Sequence, residues 1–129
     1  MKLSKGFTLI EVAIATLMLA VMIAAVYPTY KQHVRTIERQ EVVRTIDGFA
    51  KQAREYYEDN ATYTAFSPTM ATPMTSYSFT TVTTPHSFVI TAVPLNDQLY
   101  DRCGEISVNQ LGQHHASKAP PAHSSDRCW

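Results

Sequence analysis

From Phe7 to Pro28 the chain carries no charged residue except Glu11. About 22 helical residues rise roughly 33 Å, enough to cross a bilayer core. Beyond Pro28 the pattern becomes amphipathic. Tyr30, Val34, Ile37, Val42, Ile46, Phe49, Ala53 and Tyr56 recur mostly at steps of three and four, which predicts one apolar stripe on a helix ending near Asp59-Asn60. Pro28 is expected to kink this helix, because it removes a backbone hydrogen bond and crowds the preceding turn. Gly48 should weaken it mildly. The other faces carry Lys31, Arg35, Arg39, Arg44, Lys51 and Arg54 among acids and read as a solvated surface. Asp47/Lys51, Lys51/Glu55 and Arg54/Glu58 have the spacing of i,i+4 pairs, each worth about 0.2–0.5 kcal/mol at best. The stripe lacks sustained heptads, so it should pack on a sheet rather than form a coiled coil.

After Asn60 the composition shifts to Thr, Ser, Pro and aromatics. Thr62 to Thr75, with Pro68 and Pro73, reads as an irregular connection. Ser76–Thr84 and Ser87–Val93 are rich in β-branched and aromatic residues and predict two strands joined at Pro85-His86. Glu105–Asn109 alternates as a half-buried third strand. From Gly112 onward a polar tail is expected, irregular around Pro120-Pro121.

Glu11 directs attention to the N-terminus. A carboxylate within an apolar span costs roughly 2.5–3.5 kcal/mol on insertion scales and calls for a partner, unless it lies shallow and reaches a headgroup layer. Met1–Gly6 is a short leader with Lys2 and Lys5. A secretory signal is cut downstream of its apolar region, but Gly6 lies upstream of this one. Cleavage there would leave the helix on the mature chain and create an α-amino group on Phe7, one turn from Glu11. Together the two charges would largely neutralise each other.

Lys5-Gly6-Phe7-Thr8-Leu9-Ile10-Glu11 resembles the class III signal of type IV pilins and their pseudopilin relatives. The resemblance implies that a prepilin peptidase cuts after Gly6 and methylates Phe7. It also implies that Glu11 pairs with the amino terminus of a neighbouring subunit in a filament.

Formal charge is zero over 129 residues, and losing Lys2 and Lys5 tips the balance acidic; neither total suggests a polyanion-binding protein. About 70 residues remain for a head, few enough that a covalent staple is expected. Cys103 and Cys128 are the two cysteines. Their pairing would close a loop of about 25 residues and contribute roughly 3 kcal/mol by loop-closure entropy. It would also suit an exported head better than two buried thiols. Without a close-spaced partner pair, the cysteines do not suggest zinc. The charge count around the span, Lys2 and Lys5 against Lys31, Arg35 and Arg39, points the other way and by itself would keep the C-terminal side cytoplasmic. The leader and the cysteines instead imply an exported head.

Ala92-Val93-Pro94, Gln98, Asp101, Cys103-Gly104, Asn109, Gly112 and Cys128-Trp129 resemble the head of PilE-type minor pilins, with Tyr56, Tyr57, Asn60 and Tyr63 at the helix end. The resemblance implies an α+β type IV pilin fold: a long N-terminal helix packed on an antiparallel sheet, with a variable disulfide-bounded loop. The expected organisation is a leader at 1–6, a membrane and filament-core helix at 7–28, an amphipathic half at 29–60, and a head at 61–129 with loop 103–128.

No nucleophile motif accompanies His33, His86, His114, His115 and His123, and no phosphate-binding loop is present, so catalysis is not expected. No cofactor is expected either. His114-His115 with Asp126 is a weak metal candidate, more simply read as solvated. Arg102, His114, His115, Lys118, His123 and Arg127 would form a DNA-binding patch if the loop gathers them, although Asp97, Asp101, Glu105 and Asp126 are interspersed. The expectation is a structural subunit of a type IV pilus, more minor than major, supporting motility, adhesion or DNA uptake. A DNA-binding competence pilin and a type II secretion pseudopilin are the alternatives. Its partners would be other pilins, the prepilin peptidase and the inner-membrane assembly machinery. Its location would be the inner membrane as precursor, with a periplasmic head, and then the extracellular pilus.

Overall fold

A computed structural model describes residues 6–70, 73–118 and 128–129. Helix α1 is Leu9–Asn60. Four strands follow: β1 Tyr77–Thr83, β2 Phe88–Pro94, β3 Ile106–Asn109 and β4 His114–Ala116. They form one antiparallel sheet in the order β1-β2-β3-β4. A 3₁₀ turn at Asn96–Tyr100 connects β2 to β3. The chain divides into two compact units, residues 1–34 and 35–129.

In its described part, the first unit is the opening stretch of α1. The helix runs unbroken through Pro28. The large apolar side chains from Leu9 to Tyr30 all remain open, between 46% and 91% exposed. Nothing among the described residues covers them.

The second unit has its own core. Val42, Val43, Ile46, Phe49, Ala50 and Ala53 of α1 meet Phe88, Ile90 and Ala92 of β2 and Ile106 and Val108 of β3. The strands show why: alternate positions of β2 and β3 are buried, as a sheet covered on one face requires. Aromatics close one end. Tyr57 stacks on Tyr63 at 4.6 Å between centroids, Tyr63 meets Phe88 edge-on at 5.0 Å, and Phe49 meets Phe79 edge-on at 5.2 Å. The helix ends where the Asn60 side-chain amide donates to the Tyr56 carbonyl and Ala61 turns left-handed, its N–H bonded to the Tyr57 carbonyl.

The expected strands β1, β2 and β3 lie within a residue or so of their predicted bounds. The tail expected from Gly112 instead contains β4. Its turn is built by Asn109, whose side-chain oxygen accepts from the N–H groups of Leu111 and Gln113, and by Gly112 at φ +75°. The expected stripe also differs. Ile37 is exposed, whereas Arg39, expected on the solvated face, is 2% exposed. Of the expected i,i+4 pairs, only Lys51–Glu55 forms, at 3.7 Å; Asp47 pairs with His114 instead. Pro120-Pro121, His123, Asp126 and Arg127 lie outside the described residues, as do Lys2 and Lys5.

Candidate functional site

The first cluster is at the N-terminus. Gly6, Phe7 and Thr8 precede the helix, with Phe7 exposed. The Thr8 N–H and hydroxyl both donate to Glu11 Oε2, at 2.7 and 2.9 Å, and the Glu11 N–H donates back to the Thr8 hydroxyl at 3.3 Å. This is a capping box: Thr8 takes the N-cap position, and Glu11, three residues on, answers it. Within a single chain, therefore, Glu11 already has donors and occupies a helix N-terminus that favours negative charge. Its sequence signal, Thr-x-x-Glu, stands in an otherwise apolar segment.

The second cluster fastens the β2–β3 connection to α1 within the second unit. Arg39 Nη1 lies 2.5 Å from Asp101 Oδ2, with both side chains almost fully buried. The other Asp101 oxygen accepts the Cys103 N–H at 2.8 Å. The Gln98 amide donates to the Arg35 carbonyl and to the Tyr77 hydroxyl, each at 2.9 Å, while its Oε1 has no partner among the described residues. Burial is the main influence that raises the Tyr77 hydroxyl pKa, to about 12. Arg35 forks onto Asp97 at 3.0 and 3.1 Å and lies over the Tyr100 ring at 5.5 Å. Hydrogen bonding to Asp97 is the first cause that raises the guanidinium above its ordinary range. A buried cation and anion are tolerated here because each is answered by a charge and by further hydrogen bonds.

This network positions Cys103, which is bonded to Cys128 with a Cα–Cα distance of 5.9 Å. The network is not legible in local sequence, although it leaves a trace there. The apolar stripe jumps from Ile37 to Val42, and Arg39 sits three residues before Val42, on the same face.

The basic candidates are dispersed. His114 turns toward the helix, its Nε2 2.7 Å from Asp47 and its ring 5.2 Å from that of Trp129. His115 points to the opposite side of β4 and is exposed. The Lys118 ammonium donates to the Leu99 carbonyl at 3.0 Å, and its N–H to the Cys103 carbonyl at 3.2 Å, which sets it near Arg102. Arg102 is exposed. Among the described residues, no three His, Cys, Asp or Glu side chains are grouped to hold a metal.

An apolar helix opened by a Thr8–Glu11 box, followed by a helix-on-sheet head with a C-terminal disulfide, defines the class: a type IV pilin subunit. The family described as type IV minor pilin ComP, DNA uptake sequence receptor, matches residues 28–107, and the prokaryotic N-terminal methylation motif matches residues 1–27. The chain belongs to this ComP family of type IV minor pilins. A type IV pilin from Shewanella oneidensis superposes with a TM-score of 0.56 at 25% identity, covering 69% of this chain and 99% of that one. The non-core minor pilin PilV of Neisseria meningitidis has the same fold, with a TM-score of 0.59 at 20% identity over 70% of this chain and 94% of its own. A comparison with curated proteins finds no match. The chain is thus a pilus subunit of the minor class, and its associates are other pilins. The methylation motif and the apolar helix fit an inner-membrane precursor.

Proposed function

We propose that the precursor is cut between Gly6 and Phe7, methylated on Phe7, and transferred from the inner membrane into an extracellular pilus by the assembly machinery. One observation carries this reading: a strongly apolar helix, left open among the described residues, is opened by the Thr8–Glu11 box just after Gly6-Phe7. A β-carbon at Gly6 would meet nothing within 4 Å, so folding does not explain that glycine, whereas recognition by a peptidase does. In the filament, Glu11 exchanges Thr8 for the Phe7 amine of a neighbouring subunit, and that pairing sets axial register. Intact mass spectrometry of sheared surface filaments tests the whole sequence of events. A chain starting at methylated Phe7 is expected; uncut precursor confined to the inner membrane would refute it.

A second reading follows from the family description, DNA uptake sequence receptor. On this reading the head binds DNA during uptake, with Arg102 and Lys118 as the phosphate contacts best placed near each other, and with Arg127 and His115 as further candidates. Each phosphate contact lowers log affinity by about 0.9 per unit of log salt on duplex DNA. Binding that falls with salt, and less steeply in Arg102→Ala, is expected; affinity independent of salt would remove the reading.

A further inference from the structure

A groove of about 560 Å³ runs between α1 and the connection leading to β1. Its helix side is formed by Glu38, Glu41, Thr45, Gly48 and Gln52, spaced in threes and fours and so on one face. Two contacts hold the opposite wall. The Gln52 amide bonds both backbone groups of Thr69, at 3.0 and 3.1 Å, and the Thr45 hydroxyl reaches the Met74 sulfur at 3.8 Å. Met70, Met74 and Phe49 provide the apolar lining.

Two features of this groove cost stability and have no return among the described residues. Gly48 lies inside a helix, where alanine would be more stable, and a β-carbon there would meet nothing within 4 Å. Glu38 and Glu41 are like charges at i,i+3, an unfavourable spacing. Neither carboxylate has a hydrogen bond or ion pair among the described residues, although the Glu41 carbonyl accepts the Thr45 hydroxyl at 3.0 Å. Both features make sense for an occupant from outside that comes close to the helix backbone and carries positive charge. A long aliphatic stem ending in a cation fits thioether walls, an open floor and an acidic rim. A pilin surface can supply one: Arg44, Lys51 and Arg54 are exposed on this chain's own helix.

We infer that this groove receives a lysine or arginine side chain of a neighbouring pilin subunit, its stem crossing Gly48 and its charge meeting Glu38 and Glu41. The inference rests on the filament reading above. Full-length Gly48→Ala and Glu38→Lys/Glu41→Lys are expressed in place of the native chain. Thermal unfolding is recorded in detergent, and the share of subunit in sheared filaments is measured against the membrane pool. Gly48→Ala is expected to unfold at the same or a higher temperature yet enter filaments at least threefold less. The charge reversal should enter at least tenfold less, with its unfolding little changed. If both variants enter filaments like the native chain, the groove is not an interface and the inference is overturned. If the native chain itself is absent from filaments, the filament reading fails first.

Discussion

One helix serves two regions under opposite rules. From Leu9 to Tyr30 every large apolar side chain is exposed, whereas from Val42 to Ala53 six apolar residues are buried against the sheet and its connections. The second unit supplies its own apolar partners. Among the described residues the first has none, and on the reading proposed above its burial comes from lipid or from other subunits. Substitutions in the second unit should therefore register as lost stability of the isolated chain. Substitutions in the first should leave that stability nearly unchanged and register in assembly.

The largest effect is expected at Arg39. Arg39→Ala leaves the Asp101 carboxylate buried without its cation, a change that costs about 3–5 kcal/mol. Denaturant unfolding of the detergent-solubilised chain, followed by near-ultraviolet circular dichroism, reads the aromatic core of the second unit. The far-ultraviolet helical signal of the first unit should outlast that transition. A loss within about 0.5 kcal/mol, the scale expected for the exposed Lys51–Glu55 pair, would mean the Arg39–Asp101 bridge does not hold the head.

Removing the disulfide ranks next. Cys103→Ala/Cys128→Ala releases a loop with a sequence separation of 25 and should cost about 3 kcal/mol in the same transition. Membrane insertion of the precursor should be unaffected, because α1 is apolar independently of that loop. Loss of insertion would break the division between the two units.

Tyr77 gives a pH-dependent test. Its hydroxyl rises from an ordinary value near 10 to about 12 in the folded chain, so the folded state holds the proton more tightly than the unfolded one. The corresponding stability is fully present below about pH 10 and is lost as pH rises toward 12. Tyr77→Phe should cost roughly 1 kcal/mol at neutral pH, since one Gln98 donor loses its acceptor. It should also flatten the fall in stability between pH 10 and 12. An unchanged alkaline slope would show that Tyr77 is not the group responsible.

The sequence made the apolar span, the three longer strands and the cysteine pair legible because each rests on periodicity or chemistry local to a few residues. What it hid depends on distant contacts. Arg39 reads as a surface charge until Asp101, 62 residues away, is placed against it. His114 reads as a solvated loop residue until β4 turns it onto Asp47, 67 residues away. Strand β4 has three residues, too few to display alternation. The Thr8–Glu11 box is the exception, a local Thr-x-x-Glu signal set in an otherwise apolar segment.

The smallest effect on the isolated chain, and the sharpest test of the comparison, belongs to Leu17. A buried leucine truncated to alanine costs about 2–5 kcal/mol, but Leu17 is 65% exposed and belongs to no core cluster among the described residues. Leu17→Ala should therefore change the near-ultraviolet transition by less than about 0.5 kcal/mol. On the filament reading proposed above, the same side chain packs against other helices, and the same truncation would remove that packing in every subunit that carries it. The expected result is native-like unfolding with fewer subunits recovered in sheared pili. Ile46→Ala, fully buried in the second unit, should do the reverse, lowering stability sharply and reducing assembly only as far as the head unfolds. If Leu17→Ala destabilised the isolated chain as much as Ile46→Ala, the first half of α1 would have partners within its own chain, and the two halves would follow a single rule.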